Sequence, residues 1–256
     1  MKTAPYLVAI FIFLFVYSCS DNSVKNSKTK YLKGDVGSYW IYENIPVDEN
    51  YVRETDSSYV DSTFISEKLV ILEKECDVYT THDFEDGFID DSSTMYLREE
   101  DEKIYTHSGF VTSAFDELPI ELPFEIEEEW IKIADFNDDL WLVYDFEVDT
   151  VKIPFVNASM FGDLTVMGNR SVLEELEIGG KTVLAQKFEL ELVFDGTIIL
   201  GGMPIDFSPE RSMDIWMAEN IGLVKSFEHP SEITMPYLGT LNIKGSERIL
   251  TKYKIK

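Results

Sequence analysis

The sequence predicts an all-β protein, mainly antiparallel, whose strands form a curved sheet, a half-barrel or a sandwich with few short helices. Two kinds of observation carry this. Leu140, Leu142, Tyr144, Phe146 and Val148 alternate with Trp141, Val143, Asp145 and Glu147. Phe188, Leu190, Leu192 and Phe194 alternate with Lys187, Glu189, Glu191 and Val193. Both runs have period two, which sets one apolar face inward, and neither fits a helical period. Turn signals then recur along the chain at spacings of roughly 10–15 residues, as in sheets rolled into sandwiches or barrels.

In chain order the further expected strands are Ser38–Asn44, Tyr51–Thr55, Phe64–Glu73, Asp77–Thr81, Thr94–Glu99, Lys103–His107, Trp130–Ala134, Val151–Phe155, Leu164–Glu175, Met213–Met217, Leu223–Phe227 and Ser246–Ile255. Glu100-Asp101-Glu102 and Ile178-Gly179-Gly180-Lys181 separate strand pairs as hairpin turns do. Gly201-Gly202-Met203-Pro204 and His229-Pro230 break the pattern again. One short helix is expected near Thr112–Leu118, and Leu118–Phe124, with prolines at 119 and 123, reads as an extended loop.

The N-terminus is of another kind. Met1-Lys2 precedes an apolar run from Ala4 to Val16, and Val16-Tyr17-Ser18-Cys19 closes it. A basic start, an apolar stretch and a small residue before a cut form a secretory signal. The run is shorter than the ~20 residues a membrane-spanning helix needs. Val16–Cys19 resembles the bacterial lipobox, with Tyr17 where that pattern usually has a small residue and Val16 where it prefers Leu. The resemblance implies cleavage after residue 18 and acylation of Cys19, anchoring the chain to a bilayer through two or three acyl chains. Residues 19–30 then read as the lipidated Cys and a polar tether, and residues 31–256 as a single β-rich domain. The expected place is the bacterial cell envelope, lipid-anchored in the outer membrane, with the periplasmic and surface leaflets both open.

Charge excludes some partners. The whole chain carries −26, and the chain without its first eighteen residues loses only Lys2 and is one unit more negative. Nucleic acid and anionic lipid headgroups are therefore unfavourable surfaces for it. Cys76 is the one thiol left once Cys19 is acylated, so the monomer has no internal disulfide to form.

No catalytic constellation is legible. His82, His107 and His229 are far apart, without the spacing of a zinc site, and are expected at strand ends and in loops. No nucleophile elbow or phosphate loop occurs. Asp135-Phe136-Asn137-Asp138-Asp139 places oxygens as a calcium loop begins, but Leu140 stands where Gly is needed and Phe146 where Glu is needed. It reads as a polar turn. Asp83, Glu85, Asp86, Asp90 and Asp91 read as a solvated acidic loop. No metal, cofactor or enzymatic activity is expected. The aromatic share is 13%, and Trp40, Trp130, Trp141 and Trp216 each fall in an expected strand, so core packing accounts for them first.

Two motifs carry a family resemblance. Gly37-Ser38-Tyr39-Trp40-Ile41-Tyr42 resembles the Gly-x-x-Trp-x-Tyr opening strand of uncharacterised secreted lipoproteins of Bacteroidetes. Trp216-Met217-Ala218-Glu219-Asn220-Ile221-Gly222-Leu223-Val224-Lys225 resembles their late strand-turn-strand, in which Asn220 and Gly222 supply turn dihedrals. The resemblance implies a β-rich fold and no known activity. The general shape is similar to that of Lol-type lipoprotein carriers, whose curved sheet holds acyl chains; that is an analogy of fold. Asp61-Ser62-Thr63 and Asp149-Thr150-Val151 resemble the O-glycosylation sites of Bacteroidetes, which makes Ser62 and Thr150 candidate acceptors. The leading expectation is a non-enzymatic envelope lipoprotein that binds a hydrophobic ligand or envelope component. The alternatives are an accessory subunit of a surface complex and a hydrolase assembled from distant loops.

Overall fold

Two-residue turns set the architecture. The computed structural model describes residues 29–85, 88–108, 128–153, 158–235 and 239–256. The expected helix at Thr112–Leu118, the segment Leu118–Phe124 and Cys19 lie outside those residues. Strands β1 (Tyr39–Val47), β2 (Tyr59–Ile71), β3 (Lys74–Glu85), β4 (Phe88–Glu100), β5 (Lys103–His107) and β6 (Trp130–Asp135) are successive antiparallel neighbours. A second meander holds β7 (Leu140–Ile153), β8 (Ala158–Ile178) and β9 (Lys181–Leu200). From β9 the sheet continues through β11 (Glu210–Ala218), β12 (Gly222–Glu228) and β15 (Gly245–Lys254) to β1, and β10 (Met203–Phe207) pairs with the end of β9. A separate hairpin, β13 (Ser231–Met235) and β14 (Gly239–Ile243), brings buried Ile233 to the core.

Four connections have two residues, both at positive φ: Leu72-Glu73, Asp101-Glu102, Gly179-Gly180 and Gly201-Gly202. This is the turn whose twist matches that of the strands it joins. The two Gly-Gly turns and Asp101-Glu102 were legible as breaks. Leu72-Glu73 was not, because neither residue favours the left-handed region; the expected strand Phe64–Glu73 therefore ends at Ile71.

Other departures have physical causes. Tyr51–Thr55 is not a strand: Arg53 forms an isolated bridge with Val47, and Thr55–Ser57 is a single 3-10 turn. Val151 continues β7 past a bulge, rather than opening a new strand. The alternation across Leu140–Val148 changes face at another bulge between Leu142 and Tyr144. Trp141 and Val143 are buried while Leu140 and Leu142 are exposed, the reverse of a uniform period-two reading. In β9 the expected face holds, with Phe188, Leu190 and Phe194 buried.

The sheet curls into a nearly closed barrel. Ile104, Ile131 and Ala134, from β5 and β6, share a buried cluster with Trp141, Leu164, Phe188 and Ile215 from the other end of the sheet. The terminal strands of the main path, β6 and β7, are consecutive in sequence. The turn between them is held by Asp135, whose side chain is fully buried. Asp135 accepts from Lys132 Nζ at 2.7 Å and from the N–H groups of Asn137 and Asp138 at 3.0 and 3.2 Å, with Lys103 Nζ at 3.7 Å. The Trp141 indole N–H donates across to the Lys132 carbonyl at 3.1 Å. The expected polar turn is thus present, with its first carboxylate turned inward.

Burial alone would raise the Asp135 carboxyl, but the Lys132 ammonium and the two backbone N–H donors outweigh it and hold the group below its usual range. Its stabilising contribution is complete above the unfolded carboxylate value of about 3.9 and is lost as pH falls through and below it. Asp135→Asn is expected to lower stability at pH 7 and to flatten the acid limb; urea midpoints measured at pH 7 and at low pH check this, and an unchanged acid limb would count against it. Gly168 lies under Trp141, where a Cβ would come within 2.2 Å of the indole ring. Gly168→Ala is expected to cost about 1–3 kcal/mol by forcing that ring off its seat, read from urea unfolding and the near-ultraviolet tryptophan signal.

Candidate functional site

Curvature, with no helix among the described residues lying across it, leaves space inside the sheet. A cavity of about 270 Å³ is lined by β1–β6 on one side and β9, β11 and β12 on the other, with Arg248 of β15 between them. Its lining is mostly apolar: Leu97, Ile104, Ile133, Ile215, Met217 and Leu223 are typical.

The two sequence motifs meet there. Trp40 and Tyr42, on alternate positions of β1, line one wall; Met217, Ile221, Gly222 and Leu223 line the other. The Trp40 indole N–H donates to the Ile221 carbonyl at 2.7 Å, and the Tyr42 hydroxyl donates to the Leu223 carbonyl at 2.9 Å. Asn220 and Gly222 take the positive φ values, 60° and 94°, that the motif was expected to need. These aromatic donors tie β1 to β12 and the turn before it, over the intervening β15.

One end of the cavity is apolar and capped. Leu32 lines it. The Tyr31 and Leu32 N–H groups donate to the Glu99 carboxylate at 3.0 and 2.8 Å, and the Lys30 backbone carbonyl accepts from the Asn220 N–H at 2.8 Å. Tyr31 stacks on Phe136 with ring centroids 3.5 Å apart. Burial pushes the Glu99 carboxyl up, against the pull of the Leu32 and Tyr31 donors.

The opposite end is polar. Thr63, Thr81, Ser226, Glu228 and Arg248 line it, where Arg248 is level with Asn44 on β1 and Ser226 on β12. Arg248 Nε and Nη2 donate to the two Asp61 oxygens, each at 2.7 Å, and Nη2 also donates to Thr63 Oγ1 at 2.7 Å. The guanidinium sits 3.8 Å from the Tyr42 ring centroid. Asp61 also accepts from Asn44 Nδ2 at 2.7 Å. Fork-to-fork pairing of this kind fixes geometry as well as charge. Sequence reading singled out neither Arg248 nor the pairing role of Asp61. The available signal was an inward register shared with Leu250, which only the strand pairing reveals.

The sequence-selected residues are dispersed. Ser62 is half-buried in mid-strand between β1 and β3. Thr150 is exposed at the bulge between Val148 and Val151. His107 ends β5 and His229 follows β12, as expected, while His82 lies within β3; all three are partly buried, His82 with its ring against Phe64 and His107 against Tyr96 and Trp130. His229 Nε2 lies 3.1 Å from Asp214, which also pairs with Lys187 Nζ at 3.0 Å. A His–carboxylate contact is what the distant-loop hydrolase reading requires, and here the carboxylate is shared with the Lys187 ammonium. Cys76 is buried in β3, and burial pushes its thiol up, away from nucleophilic character. Among the described residues no group of three or more His, Cys, Asp or Glu is arranged to hold a metal ion.

No protein-family model matches the chain, and no curated protein matches it. Solved structures resemble it in outline. A candidate lipoprotein of Parabacteroides distasonis aligns with 88% of this chain and 99% of its own, at 12% identity and a TM-score of 0.48. A candidate exported protein of Bacteroides fragilis, described as having a YmcC-like fold, aligns with 88% and 99% at 13% identity and a TM-score of 0.42. The hypothetical lipoprotein YmcC of Escherichia coli aligns with 98% of each chain at 10% identity and a TM-score of 0.26. At these values the likeness carries no functional content.

Removing one partner of the Asp61–Arg248 pair leaves a charge stranded in the barrel. Arg248→Met and Asp61→Asn are each expected to cost about 3–5 kcal/mol, and the double variant less than their sum. A double-mutant cycle in urea checks this; additive losses would show that the two side chains do not act as a pair.

Proposed function

We propose that this chain is a non-enzymatic, lipid-anchored protein of the bacterial envelope whose β domain holds a hydrophobic ligand inside its curved sheet. The cavity is the observation that carries the ligand reading. It is just below the ~300–1,000 Å³ range of small-molecule sites and has their character, apolar walls with a few convergent polar groups. The lipobox-like Val16–Cys19 supports the anchor. The anchor supplies the membrane affinity, because the acidic surface does not. Acyl-chain binding in the manner of Lol-type carriers is the finer form of this reading.

A second reading has its own support. Leu140, Leu142, Val172, Leu173 and Leu184 are exposed on β7, β8 and β9, and exposed apolar side chains in neighbouring strands suit a protein partner in a surface complex. Of the two candidate glycosylation sites, Thr150 has the exposure an enzyme needs; Ser62, flanked by paired strands, does not.

Two measurements test the proposal. Cys19→Ser is expected to fold normally and to leave the membrane fraction; retention there would refute the anchor. Lipid extraction and mass spectrometry of the purified wild-type protein are expected to show a bound lipid, and a lipid-free protein would count against the ligand reading.

A further inference from the structure

We propose that the cavity selects a single acyl chain ending in an uncharged oxygen head, such as an acyl ester, over a free fatty acid. This rests on the reading of the cavity as a ligand site. The apolar end at Leu32, Leu97, Ile104 and Ile221 suits the tail, and a volume of about 270 Å³ suits one chain rather than two.

The polar end decides the head. Arg248 is the cation there, and Asp61 already lies on it through two 2.7 Å bonds. The pair therefore presents no net positive charge to an incoming group. Its bonds to Asp61 and Thr63 use Nε and Nη2, which leaves the Nη1 hydrogens for a further acceptor. Thr63 and Thr81, whose hydroxyls are 2.8 Å apart, and Ser226 add neutral partners. Glu228 stands on the same rim. A carbonyl or glycerol oxygen can accept from Arg248 there without penalty. A carboxylate would bring a second anion beside Asp61, and repulsion in a partly dry site is costly.

Native mass spectrometry of the full-length chain, incubated separately with monodecanoylglycerol and with decanoate, tests this. One molecule of the glyceride is expected to bind about tenfold more tightly than decanoate, the scale of one unfavourable like-charge contact at a partly solvated site. Arg248→Lys keeps a charge beside Asp61 but loses the fork, and is expected to bring the two probes towards parity. Leu223→Trp fills the cavity and is expected to abolish binding of both; thermal melts establish that each variant folds. Decanoate binding as well as the glyceride, with both lost in Leu223→Trp, overturns the head preference and leaves the ligand cavity standing. Failure of both probes, and of the neutral dye N-phenyl-1-naphthylamine, overturns the cavity reading with it.

Discussion

Joining the two free edges of one sheet is the constraint on which the structure rests. Twelve strands follow one another along its main path, and no helix among the described residues covers either face. A sheet in that position can bury an apolar face only by curling on itself, which also protects its edges. The edges that approach are β6 and β7, and the chain passes directly from one to the other. Asp135 holds that passage by turning a carboxylate into the protein and surrounding it with two lysines and two backbone donors. Arg170 reinforces it from β8 by pairing with Asp139 and donating to the Phe136 carbonyl.

Curling at this strand number has a cost in packing. Barrels of about eight strands are filled by their own side chains, and wider ones enclose space. Here the space is managed from both ends. Trp40 and Tyr42 tie β1 to the Ile221–Leu223 segment over β15, the Tyr31–Leu32 segment caps one end, and the Asp61–Arg248 pair stiffens the other. The cavity follows from the same geometry that forms the core, so its shape depends on the closure.

Much of the fold was legible in the sequence, because alternation and turn chemistry are local. The Trp216–Lys225 motif gave its turn dihedrals correctly, and β9 gave its buried face. What failed depended on neighbours. The bulge after Leu142 swaps the buried face of β7 and is set by pairing with β8. Strands β10, β13 and β14 are five residues each and carry too few apolar positions to show a period. The Leu72-Glu73 turn is imposed by the β2–β3 pairing on residues that do not prefer it. The candidate site was less legible still. Its walls contain ordinary strand residues, and Arg248 differs from a surface arginine only in facing inward. The contact between the two motifs joins residues about 180 positions apart, which no local pattern encodes.

A crystal structure of the delipidated protein under xenon pressure tests the central claim most directly, because xenon enters apolar space and not packed side chains. The account predicts xenon between Leu32, Met217 and Leu223, inside the curved sheet. A barrel interior closed by side chains, with no xenon there, would contradict it.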